Sequence, residues 1–120
     1  MIAHLRGRLS LHDLLRDYES IYVSAITLYE LEYGAIKAGR ASDFAHLAQA
    51  LQPTVLAVGR LEAEQAAHLN GMLARKNQQI GPRDALIAGT ALQWGLDLLT
   101  LNVNEFKRVP NLSMITPSNV

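Results

Sequence analysis

Three carboxylates stand where the chain opens a helix: Glu30 in TLYELEYG, Asp84 in GPRDALIA and Glu105 in LNVNEF. Each one alone reads as an ordinary helix-start acid. Thr27-x-x-Glu30 and Asn102-x-x-Glu105 match the capping-box pattern, and Asp84 suits the positive end of the helix that Pro82 opens. Together they imply more. Carboxylates brought within about 4 Å repel by about 4 kcal/mol at an effective dielectric of 20, so a cation has to sit among them. Hard oxygen donors, without cysteine or paired histidine, suit Mg²⁺ or Mn²⁺ better than zinc. Such an ion activates water and neutralises a phosphodiester, which makes hydrolytic phosphoryl transfer the expected chemistry. Asn102 is the remaining polar group at this edge, placed to hold a water or a phosphate or to cap the helix after it.

Other chemistries find little support. With no cysteine there is no disulfide framework, thiolate metal site or thiol nucleophile. His4, His12, His46 and His68 show neither a metal-ligand spacing nor a triad partner and read as surface or half-buried residues. Ser24 and Thr27 lack a nearby base. Gly81-Pro82 is no phosphate loop, since neither a Walker lysine nor a GxGxxG occurs. Eleven basic and eleven acidic side chains give a formal charge of zero, so a polyanion has to be held by a local patch. Arg75, Lys76 and Arg83 before and beside Asp84, with Lys107 and Arg108 after Glu105, are the candidates, though solvated helix ends explain any one of them.

These acids need elements to bring them together. SIYVSAI from Ser20 predicts a strand ending near Ile26, followed from Thr27 by a helix that contains Gly34 and ends at Gly39. Ser42 reads as the N-cap of a second helix, DFAHLAQALQ, stopped by Pro53. Val55 to Val58 predicts a strand. A long helix follows from Arg60 to about Gln79, with Leu61, Ala66, Leu69 and Leu73 on one stripe. Pro82 opens the helix RDALIAGTALQWG, Leu96 to Leu101 forms a buried strand, Asn104 to Lys107 a helical turn, and Leu112 to Thr116 a last strand. Strands alternating with helices argue for an α/β fold with a mostly parallel sheet and helices on its faces. Ligands then bind at the carboxyl ends of the strands, where Glu30 and Glu105 lie, whereas Asp84 follows a helix and loop and not a strand directly. The length, 120 residues with 49% apolar, fits a single domain spanning residues 1–120. No apolar run reaches the roughly 20 residues of a membrane span, and a cytoplasmic protein is expected. Met1 to Arg6 looks like the tail of a helix closed by Gly7, with no strand before it.

VSAITLYELEYGA, IGPRDALIAGTALQWGLDLLTLNVNEF and RVPNLSMITP resemble, in order and spacing, the PIN-domain family and within it the VapC-like and FitB-like toxins of bacterial toxin–antitoxin pairs. The likeness runs from about Ile21 to the end. It implies a three-layer α/β/α fold in which Glu30 and Asp84 match the family's second and third acids. Glu105 matches a position often acidic, and Asn102 stands in the T-x-[DN] slot where other members carry aspartate. It implies Mg²⁺ or Mn²⁺ as cofactor, RNA as substrate, an inhibiting antitoxin and a homodimer. The family's first, central strand ends in an aspartate before a helix like IAHLRG. This chain starts after that point, so it is expected to be N-terminally truncated, to lack that strand and acid, and to be poorly stable and weak as a nuclease unless a partner supplies a strand.

The main expectation is therefore a metal-dependent endoribonuclease toxin, with Glu30, Asp84 and Glu105 as metal ligands. Tyr29, Tyr33 and Trp94 are candidates for partner contact, and core packing is the favoured role for Trp94. One rival is a degenerate PIN domain that binds RNA or antitoxin without cleaving. Another is a small α/β domain whose acids are caps only.

Overall fold

Ser24 decides where the first strand stops. Its hydroxyl accepts the Thr27 N–H at 3.0 Å and donates to Thr27 Oγ1 at 3.0 Å, which satisfies a free helix-start amide. In this computed structural model, which describes residues 21–100 and 102–115, β1 is therefore only Tyr22–Ser24. Helix α1 (Ala25–Lys37) begins earlier than the apolar pattern predicts. Gly39, at φ 73°, turns the chain out of α1, a conformation that costs glycine nothing.

Helix α2 (Ala41–Leu51) starts two residues sooner than expected, with Arg40 at the N-cap and Ser42 inside the first turn. The tight turn is the reason: Arg40 N–H bonds back to the Ala35 carbonyl at 2.7 Å, and Arg40 Nε reaches Asp43 Oδ2 at 2.9 Å. Gln52 then takes φ 45° before Pro53, and β2 (Thr54–Leu56) follows.

Helix α3 (Arg60–Ala74) stops short of Gln79. Asn77 adopts φ 57° and the Gln78 N–H returns to the Leu73 carbonyl at 2.8 Å, closing the helix end. After α4 (Pro82–Trp94), Gly95 at φ 62° ends the helix. The chain closes with β3 (Leu98–Leu99), α5 (Val103–Phe106) and β4 (Met114–Ile115).

Both strand pairings are parallel, as expected: β1 with β2, in register Val23 to Val55, and β3 with β4, in register Leu98 to Met114. They form two separate pairs, and no strand among the described residues joins them. The expectations for Met1 to Gly7, and for a strand before them, lie outside the described residues.

The core is organised by the α3–α4 hairpin. Ala66, Leu69 and Leu73 of α3 pack with Ala85, Ile87, Ala88 and Ala91 of α4, and Leu98, Phe106 and Val109 close the cluster. Gly89 is the crossing point. A Cβ there would lie 2.7 Å from the Ala66 amide nitrogen and 2.9 Å from the Glu62 carbonyl oxygen, so only glycine lets the two backbones approach this closely.

The stripe on α3 differs from the predicted one at its first member. Leu61 is exposed and Glu62 is buried. The Glu62 carboxylate accepts the Gly59 N–H at 2.9 Å and the Trp94 indole N–H at 2.9 Å, so a hydrogen-bonded acid fills the place assigned to an aliphatic side chain. The same bond corrects the expectation for Trp94. Trp94 is 54% exposed, because anchoring the indole nitrogen to Glu62 leaves the rest of the side chain lying over the surface.

Candidate metal centre

Asp84 reaches the site through a loop pinned at several points. Asn70 of α3 grips Ile80 in both directions: its side-chain NH₂ donates to the Ile80 carbonyl and its Oδ1 accepts the Ile80 N–H, each at 2.8 Å. Arg108 donates to the Gln79 carbonyl at 3.2 Å. Gly81 then caps α4, Pro82 takes the first helical position, where its missing N–H does no harm, and Asp84 falls in the first turn. Buried Ala85, Ile87 and Ala88 fix that turn against the core.

A carboxylate at a helix N-terminus ordinarily becomes more acidic. Asp84 goes the other way. Its proton affinity is raised, chiefly by burial, then by the negative charges of Glu105 and Glu30, with Arg83 opposing. Glu105 and Glu30 thus both act on Asp84 through space, although the three acids come from α5, α1 and α4.

The capping roles weighed for Glu30 and Glu105 are taken by other groups. Ser24, not Thr27, is the N-cap of α1, which places Glu30 in the second helical turn, with its Oε2 3.1 Å from Arg83 Nη1. At α5 the N-cap is Asn102, whose side chain makes no cap hydrogen bond. Its own N–H donates to the buried Thr100 Oγ1 at 2.9 Å. Glu105 is left half-buried in that helical turn, and Asn102 is exposed beside it.

The donor set fits a hard divalent ion in kind: three carboxylates, and no sulfur or paired imidazole. Among the described residues, no three acids or histidines converge tightly enough to enclose an ion by themselves. His46 and His68 are exposed, as expected, and His4 and His12 lie outside the described residues. Of the basic residues, Arg83 pairs with Glu30, Arg108 holds the Gln79 carbonyl, and Arg75, Lys76 and Lys107 face solvent.

The PIN domain family matches residues 2–112. The chain belongs to the PIN domain family. It is 34% identical over 122 residues to Ribonuclease VapC of Rickettsia bellii, covering 97% of this chain and 90% of that protein. It is 32% identical over 111 residues to the tRNA(fMet)-specific endonuclease VapC of Salmonella typhimurium, covering 91% of this chain and 80% of that protein. The crystal structure of DNA-bound VapBC from Salmonella typhimurium superposes with a TM-score of 0.79 at 29% identity, covering 91% of this chain and 85% of that one. VapBC2 from Rickettsia felis gives 0.74 at 30% identity, covering 88% of this chain and 81% of that one. This PIN domain is VapC-like, and the expected fold and family are borne out. No helix among the described residues is long and apolar enough to cross a membrane.

Two roles, that of Asn70 in the loop before Asp84 and that of Glu62 in the core, were not evident from sequence. Asn70 sits in a helix interior with no local mark of its role, because its partner is ten residues away in a loop. Glu62 carried a weak signal, the glycine-x-x-glutamate spacing from Gly59 that resembles a capping box.

Proposed function

We propose that this PIN domain, spanning residues 1–120, is the endoribonuclease toxin of a toxin–antitoxin pair. Asp84, Glu30 and Glu105 hold Mg²⁺ or Mn²⁺, and Asn102 orients a water or a phosphate oxygen. The relatives named ribonuclease VapC support RNA as the substrate, and the VapBC complexes support an antitoxin as partner. A cytoplasmic homodimer is part of the reading. Its support is the set of exposed aromatic residues, Tyr29, Tyr33 and Trp94, of a kind enriched at interfaces.

The observation that carries the site assignment is the placement of Glu30 3.1 Å from Arg83, the neighbour of Asp84 in the first turn of α4, and the charges of Glu105 and Glu30 both raise the proton affinity of Asp84. A divalent ion at such a site supplies Lewis acidity toward a phosphodiester and makes water a better nucleophile. The protein's part is to bring the carboxylates to one edge, with Asp84 fixed by the Asn70 clamp and Glu105 carried on the turn after Thr100.

Asp84→Asn tests this directly. Chelator-sensitive RNA cleavage should fall by at least about 100-fold, and Mn²⁺ binding should weaken in parallel. Unchanged Mn²⁺ titration would return Asp84 to a helix-start role. RNA retained without cleavage by the wild-type chain, in saturating Mg²⁺, would favour the degenerate binding module instead.

A further inference from the structure

Arg83 stands where helix electrostatics disfavours it. It occupies the first turn of α4, next to Asp84, at the end of the helix that carries partial positive charge. Local sequence rules place acids here, so the compensation for a cation has to come from elsewhere in the fold. It comes from Glu30 of α1, whose Oε2 lies 3.1 Å from Arg83 Nη1 in an ion pair. The guanidinium side chain is 70% exposed and the Glu30 side chain 36%, so the pair is wet and opens at little cost. Arg83 also opposes the two acids that act on Asp84. One side chain thus meets one proposed ligand directly and offsets the charge around a second.

We propose that Arg83 is a resident counter-ion of the acidic site: it holds Glu30 while no metal is bound, and a divalent cation has to displace it to gain that carboxylate. The inference rests on the metal-site reading above. Arg83 is then a positioning residue that competes with the metal. A guanidinium and a divalent ion cannot share one carboxylate without mutual repulsion, and the ion, with two charges and a second acid nearby, gains more from the site than the exposed arginine loses. The alternative is a plain α1–α4 cross-link that preorganises Glu30, and it has the opposite consequence for metal affinity.

The test is a Mn²⁺ titration of the free protein, followed by electron paramagnetic resonance and calorimetry, which needs no RNA and no turnover. Arg83→Gln should bind Mn²⁺ about three- to tenfold more tightly than wild type, the gain expected from removing a competing surface pair and its repulsion. Arg83→Lys, which keeps the charge, should stay within about twofold of wild type. Unchanged or weaker binding by Arg83→Gln, with wild-type binding intact and the same melting temperature, overturns the counter-ion role and leaves the metal site standing. Failure of the wild-type protein to bind Mn²⁺ at all sinks the metal-site reading, and the competition with it.

Discussion

The α3–α4 hairpin and the acidic edge shared by α1, α4 and α5 are held by opposite means. The hairpin is a dry, close contact in which Gly89 lets α4 rest on the Ala66 backbone, and Leu69, Leu73, Ala88 and Ala91 fill the space around it. The acidic edge is half-exposed and dominated by charge, with Glu30 and Arg83 in a direct but solvent-accessible pair and Asp84 pushed by its neighbours. Each region contains one informative carboxylate. Glu62, in the hairpin, is held below the usual carboxylate range, first by its own backbone N–H and then by Gly59 and Trp94, which together outweigh its burial. Asp84, at the edge, is raised. A buried acid with donors aimed at it stabilises a fold, whereas a half-buried acid facing other acids strains it and is ready for a cation.

The comparison breaks most sharply at Gly89. Gly89→Ala should destabilise the protein by about 2 kcal/mol in denaturant unfolding, since the new methyl meets backbone atoms that cannot rotate away. Glu105→Gln, at the edge, should leave that unfolding curve nearly unchanged while lowering cleavage. If Gly89→Ala unfolds like wild type, the helices are not in the described contact.

Asn70→Ala should follow, at about 1 to 2 kcal/mol, because it strands a partly buried N–H and carbonyl of Ile80. It should also lower cleavage beyond what the loss of stability explains, since the loop it releases aims Asp84. Activity that tracks stability alone would separate the hairpin from the site.

The smallest effect, and the one that separates the two acids, is in pH dependence measured with chelator present. The Glu62 contribution is present above the ordinary carboxylate range and is lost as pH falls through its depressed folded value. Glu62→Gln should therefore be less stable than wild type at neutral pH, and the difference should shrink on acidification. Asp84 has the reverse sign: its cost is absent at low pH and grows as pH rises from the ordinary range through its raised folded value. Asp84→Asn should be slightly more stable than wild type at neutral pH, and equal to it in acid. Parallel profiles for the two variants would remove the contrast between the regions.

Much of this was legible in the chain. Gly39 and Gly95 mark helix ends by the backbone conformation they alone adopt cheaply, Pro82 marks a helix start, and the Ala66, Leu69 and Leu73 spacing marks a buried face. These are local constraints, set by sterics and periodicity within a few residues. The same holds for the types and order of Glu30, Asp84 and Glu105, from which the family resemblance could be read. Tertiary structure decided the rest. Whether Glu30 and Glu105 capped their own helices depended on Ser24 and Thr100 reaching the free amides first. Whether Trp94 lay inside depended on a carboxylate 32 residues away, and whether Arg83 was a stray cation or a partner depended on α1 lying beside α4. Hydrogen bonds and charge pairs are contests among all groups within reach, and only the folded chain fixes which groups those are.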